Sequence, residues 1–270
     1  MHAAPYIWLA IVLLVLLLFA RGRDNDAIRK AKRTTAGVRA VMAAYRAGDY
    51  AAGLQASEKL MDGTTRTPEY FMFRGYMLHQ LGRLNEAESS FRQALPLRSD
   101  PHQRALSLNS LASVLMDQER FTEAITFYEN ASQVWPDRGA SLRGIAEVWL
   151  RQGREPTQAL EQARHAVEID RNATGMSKEV LSDRLGEDLA VLAWALAANA
   201  QDPAEVEAAL AEAFKLCGRK SVSIVAQIHY HAGRAYLALA SRNRSNDHFR
   251  QAEQIDPNGR FGRMARAALS

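Results

Sequence analysis

The sequence predicts an all-helical solenoid carried behind one N-terminal membrane-spanning helix and closed by a C-terminal capping helix. Three observations predict it. Apolar residues recur every three or four positions through the body of the chain, and no stretch keeps the two-residue alternation of a strand. One pattern of small and aromatic residues returns along the chain. Residues 3–20 read AAPYIWLAIVLLVLLLFA, without a single charge.

The apolar segment comes first. Its 18 residues, if helical, rise about 27 Å, near the roughly 30 Å of a bilayer core. Tyr6 and Trp8 sit near one end, where aromatic rings favour the lipid–water interface. Arg21, Arg23, Arg29, Lys30, Lys32 and Arg33 follow. That basic flank predicts an anchor over residues 1–20, a basic juxtamembrane segment over 21–33, and a large cytoplasmic domain at the inner (plasma) membrane. A cleaved signal peptide carries its positive charge ahead of the apolar run. Only His2 precedes it here, and Leu18-Phe19-Ala20 is a poor cleavage match, which favours an uncleaved anchor.

Helix boundaries are then marked along the body. Thr67-Pro68, Asp100-Pro101 and Asp202-Pro203 each join a capping side chain to a proline suited to the first helical turn. Pro136 and Pro257 mark stops. Between these points the pattern repeats. One copy reads Phe71, Gly75, Leu78, Gly82, Ala87, Phe91, Ala94. The next reads Leu108, Leu111, Ala112, Leu115, Phe121, Ala124, Tyr128, Ala131. A third reads Leu142, Ile145, Ala146, Trp149, Gly153, Ala159, Ala163, Ala166, and a last Gly233, Tyr236, Ser245, Phe249, Ala252.

This recurrence resembles the tetratricopeptide repeat (TPR) family, a right-handed solenoid of helix–turn–helix units with a 34-residue period. The resemblance implies about six repeats over residues 34–258, best matched at 68–101, 105–138, 139–173 and 226–258. Two copies are degenerate, at about 34–67 and 178–219, with an insertion over 172–185. A small residue in each first helix (Gly75, Ala112, Ala146, Gly233) is expected to let the second helix approach. Residues 259–270 are expected to cap the array. Phe261, Met264, Ala265 and Ala268 would pack on it, and Arg260, Arg263 and Arg266 would form an outer basic face.

Function is bounded mainly by exclusion. The single cysteine, Cys217, excludes an internal disulfide framework and a cysteine-based zinc site. The net charge of +4 divides into about +6 for residues 1–46, −8 for 47–218 and +6 for 219–270, which is no continuous nucleic-acid stripe. No His-Glu-x-x-His, phosphate loop or Gly-x-Ser-x-Gly motif occurs. The expectation is a non-catalytic protein without cofactor, metal, nucleic acid or small-molecule substrate.

The resemblance implies a binding groove lined by the first helix of each repeat. Mapped onto this sequence, its expected partner-binding residues are Met72, Tyr76, His79, Asn109, Arg143, Glu147, Arg151, Trp194, Tyr230 and Arg234. The leading reading is a membrane-anchored adaptor that holds a protein or peptide partner in a bacterial membrane-associated complex. An envelope-facing chaperone-like factor and an accessory subunit of a membrane enzyme are the alternatives.

Overall fold

The computed structural model describes residues 35–61, 66–217 and 221–270, with the side chain of Cys217 left out. The expected anchor and the basic segment after it lie outside the described residues. Among the described residues no helix is long and apolar enough to cross a membrane.

Thirteen α-helices and no strands make up the described chain. They run as six consecutive pairs and a last single helix. The pairs are α1 (35–47) with α2 (Tyr50–Ser57), α3 (Pro68–Gln80) with α4 (Leu84–Ala94), and α5 (Pro101–Asp117) with α6 (Phe121–Val134). They continue with α7 (Ala140–Gln152) and α8 (Pro156–Asn172), α9 (Lys178–Ala198) and α10 (Pro203–Cys217), and α11 (Val222–Ala238) and α12 (Arg242–Ile255). The last helix is α13 (Arg260–Leu269).

The expected start signals act as caps. Thr67 accepts from the Tyr70 amide at 3.1 Å, Asp100 from Gln103 at 2.8 Å and Asp202 from Ala204 at 2.9 Å. The insertion at 172–185 is mostly helix. Ser177 caps α9, whose 21 residues include the first turns the sequence set apart from the repeat. Arg184 in those turns reaches back to Asp170 of α8, so the extra length is tied to the previous pair.

Every pair is joined by the same turn. At the same place in each turn one residue takes a left-handed backbone: Gly48, Gly82, Glu119, Gly153, Ala200 and Ala240, with φ between 52° and 75°, and the α7–α8 turn adds Glu155 at 47°. The amide of the shared residue bonds three residues back, and the next amide bonds five residues back, as in Gly82 to His79 and Arg83 to Leu78. That pair of bonds satisfies the carbonyls left over at a helix end. Three turns use glycine, for which this backbone is free, and three use residues that strain in it.

The small residues of the first helices lie against aromatic rings. A Cβ added to Gly75 would come within 2.6 Å of the Phe91 ring, and one on Gly233 within 2.5 Å of Phe249. Gly144 meets Tyr128 of the preceding pair in the same way, a contact that the repeat pattern did not single out. Ala112 and Ala146 are fully buried at the corresponding sites.

The array closes on itself. The Tyr50 hydroxyl donates to Asp256 at 2.5 Å, across 206 residues. Tyr45 and Gln80 both reach the Ser223 hydroxyl at 3.3 Å. Gly48 lies so near Val222 that a Cβ there would stand 2.9 Å from its methyl group. The first two pairs therefore touch the sixth, and α13 folds in between them.

Relief of turn strain gives a direct test. Ala240→Gly removes a left-handed alanine, and the more flexible unfolded chain takes back part of the gain. The net stabilisation should be about 0.5 kcal/mol in urea unfolding. Gly82→Ala should destabilise, because it adds the same strain and also crowds Arg263, whose guanidinium lies 2.8 Å from that Cβ position.

Candidate functional site

The concave side of the array is built from the first helix of each pair and from α13. At its centre is a buried ion cluster. Asp117, the last residue of α5, accepts from Arg260 through both oxygens at 2.5 and 2.7 Å. It also accepts from Arg151 at 2.9 Å and lies 2.7 Å from His79 Nε2. Glu147, one turn before Arg151 on α7, accepts from that guanidinium at 2.6 and 3.0 Å. His231 Nε2 is 3.6 Å and Arg260 Nη2 is 3.9 Å from the same Glu147 oxygen. Five helices meet there: α3, α5, α7, α11 and α13.

The protonation states follow from burial and charge. Burial alone would raise the Asp117 carboxyl, but Arg260 and Arg151 outweigh it and hold it well below the usual carboxylate range. Glu147 is likewise lowered, against burial, by Arg151 and His231. Burial lowers His79 and His231, and it outweighs the neighbouring carboxylates, so both rings are neutral at pH 7. The neutral His79 with its proton on Nε2 donates to Asp117.

A second buried pair lies on the neighbouring helices. Arg143 of α7 bonds Glu187 at 2.7 Å and Asp188 at 2.6 Å, both on α9. Burial and the nearby Asp170 raise Asp188 against the pull of Arg143.

Two spaces remain, and Arg260 borders both. A central cavity of about 230 Å³ is lined by Tyr76, His79, Asn109, Arg143 and Glu147 among others. A cleft of about 500 Å³ lies between the turns after α3 and α5, α11 and α13. Its walls include Phe121, Arg151, Tyr230, Arg234, Arg263 and Met264. The ten expected groove residues thus divide. Five line the cavity and three, Arg151, Tyr230 and Arg234, line the cleft.

Met72 and Trp194 line neither space, which corrects their placement on an open surface. Met72 is buried, and its sulfur accepts from Ser107 of α5 at 3.1 Å. Trp194 is 3 % exposed, stacked on His231 with Arg234 over its ring at 4.6 Å. His79, Glu147 and Tyr230 are buried too. The cause is the same throughout: neighbouring first helices pack on one another, and α13 fills the curve that they enclose.

The outer basic face expected for α13 is also corrected. Arg260 is only 8 % exposed and turned into the ion cluster, whereas Ala268 is exposed. Arg263 bonds the carbonyls of Gln80 and Asn258, and Arg266 bonds Glu253 at 2.6 Å on the outside. Asp117 and Arg260 were not in the expected set. Their contact spans 143 residues, so no local spacing announces it.

Comparison with known proteins agrees with this architecture. Tetratricopeptide-repeat profiles match residues 38–103 and 103–172, so the chain carries such repeats through its first four helix pairs. No curated protein matches the sequence. Among solved structures, the chain is similar to PilF of Pseudomonas aeruginosa, at 16% identity and a TM-score of 0.50, over 88% of this chain and 99% of that one. It is also similar to the tetratricopeptide-repeat protein TTC0263 of Thermus thermophilus, at 17% identity and a TM-score of 0.52, over 75% and 97%. A chain of the Cut9–Hcn1 hetero-tetramer of the APC/C aligns at 15% identity and a TM-score of 0.57, over 82% of this chain and 40% of that one. These likenesses show a shared helical-repeat fold.

Two measurements test the ion cluster. Asp117→Ala leaves Arg260 buried with only a Glu147 oxygen 3.9 Å away and Arg151 with Glu147 alone, so it should cost about 3–5 kcal/mol in urea unfolding. The double variant with Arg260→Ala should cost less than the two single losses added together.

The pH dependence follows from the depressed histidines. Below about pH 6.5 the unfolded chain takes up protons that folded His79 and His231 refuse. His229 behaves alike, lowered to about 4 by burial and by His248. These histidines should therefore cost stability as pH falls from 6.5 towards 4, whereas Asp188, raised to about 7 chiefly by burial, works in the opposite direction over that range. Asp117 and Glu147 should add their losses only at lower pH, since their folded values are depressed below the ordinary carboxylate range. A His79→Gln, His229→Gln variant should show a shallower slope between pH 7 and 5.

Proposed function

We propose that this tetratricopeptide-repeat chain is a membrane-anchored, non-catalytic adaptor that binds an acidic segment of a partner protein in the cleft beside α13. The charge balance of that cleft carries the reading. Four arginines border it, but Arg151 and Arg260 are already matched by Asp117 and Glu147. Arg234 has no carboxylate within ion-pairing distance among the described residues, and its Nε is buried without an acceptor. Arg263 bonds only carbonyls. Two uncompensated cations beside Phe121, Tyr230 and Met264 suit a segment that offers carboxylates next to apolar side chains.

The uncharged segment 3–20 and the basic residues behind it support an anchor at the inner membrane of a bacterium with the repeats in the cytoplasm. A closed array of paired helices that carries tetratricopeptide repeats supports scaffolding rather than chemistry.

Photocrosslinking in membranes, followed by partner identification, tests both parts. Arg234→Glu with Arg263→Glu should lower partner yield by about tenfold while helicity is kept. Unchanged yield would remove the cleft from the reading. Protease added to spheroplasts should spare the repeats, and their digestion would reverse the topology.

A further inference from the structure

The central cavity, on the other side of Arg260 from the cleft, is lined by three arginines and two glutamates. Almost all of that charge is matched. Arg143 is paired with Glu187 and Asp188, Arg260 with Asp117, and Glu147 with Arg151. Arg138, two residues before α7, is the exception. It has no carboxylate within ion-pairing distance among the described residues, and its Nε is sealed from solvent without an acceptor. Its guanidinium lies 5.1 Å from the centre of the Trp135 ring, a contact that holds the cation in place and neutralises nothing. Burial and the nearby Arg184 and Arg143 push it below the ordinary guanidinium value.

Asn109 lines the same cavity. Its Oδ1 accepts from the Ser141 hydroxyl at 2.9 Å, which directs the amide and leaves Nδ2 buried with no acceptor. Arg138 and Asn109 therefore border one partly open space, each with a donor that has no acceptor. In a cavity whose other charges are closely matched, unused donors of this kind mark a place for an acceptor from outside.

We propose that the cavity binds the carboxylate of a small organic acid, gripped by Arg138 and Asn109. A carboxylate offers two oxygens, four acceptor sites and one negative charge, which is what these two side chains lack. The space of about 230 Å³ is enough for an acid of a few carbons and too small for a folded segment. Ser110, Ser113 and Gln227 border the rest of the space and suit a ligand that carries hydroxyl or carbonyl groups. Such a ligand departs from the expectation, drawn from the sequence, of no small-molecule binding.

The test is thermal unfolding of the full chain in detergent, with butyrate or its uncharged analogue butyramide added at constant ionic strength. Butyrate should raise the wild-type midpoint in a saturable way, and butyramide should not. Arg138→Gln should weaken that response at least about tenfold. Its ligand-free midpoint should equal or exceed the wild type, because the change removes an unmatched cation. Should Arg138→Gln fail to fold, Asn109→Leu makes the same comparison. A midpoint unmoved by butyrate, an equal response to butyramide, or a response kept in the variant overturns the proposal. So does a response to an acetylated and amidated Ala-Glu-Ala peptide without one to butyrate, which would assign the carboxylate to a protein partner.

Discussion

The buried contact between Asp117 and Arg260 fixes how this solenoid ends. An amphipathic helix such as α13 can bury Phe261 and Ala265 in more than one register, because apolar contact is not directional. A guanidinium that grips both oxygens of one carboxylate cannot shift. Sliding α13 by one residue would rotate Arg260 by about 100° and leave it buried without a partner. Burial of apolar surface drives the helix inward, and the ion cluster selects one of the positions available to it. Arg151 and His79 close on the same carboxylate, so helices far apart in the chain share one reference point.

How much of this was legible in the sequence depends on the range of each interaction. The turns, the caps at Thr67, Asp100 and Asp202, and the packing of Gly75 and Gly233 act over a few to sixteen residues, and local pattern carries them. The left-handed turns were legible where Gly48, Gly82 and Gly153 stand, and hidden where Glu119, Ala200 and Ala240 take the same conformation. The candidate site was legible in composition and not in accessibility. Tyr76, Asn109, Arg143 and Arg234 do border the concave spaces, but Trp194 and Met72 are sealed by neighbouring first helices. Which face of a first helix stays open depends on how the array curves, and curvature is set by all the pairs together.

Arg260 shows why pattern misreads a helix that is buried on two sides. On a helical wheel it falls with Arg263 and Arg266, and three arginines on one stripe look solvated. The structure gives the three different surroundings. Arg266 meets Glu253 outside, Arg263 caps carbonyls near Gln80, and Arg260 enters the core. A charge may be interior when its counter-charge is interior too, and Asp117 supplies it from another helix.

The same accounting decides what the concave side can still bind. Counting arginines alone would make the whole groove attractive to acid, since Arg138, Arg143, Arg151, Arg234, Arg260 and Arg263 all border it. Subtracting the pairs removes Arg143, Arg151 and Arg260, whose charge is already met by carboxylates held at 2.5–2.9 Å. Arg263 is satisfied by carbonyls, which leave its charge in place, and Arg138 and Arg234 keep both charge and an open donor. Those two lie in different spaces with the ion cluster between them. A ligand that reached both would have to displace Arg260 from Asp117 and break the buried contact that holds α13 in place. Recognition on this surface is therefore divided by the contact that closes the fold.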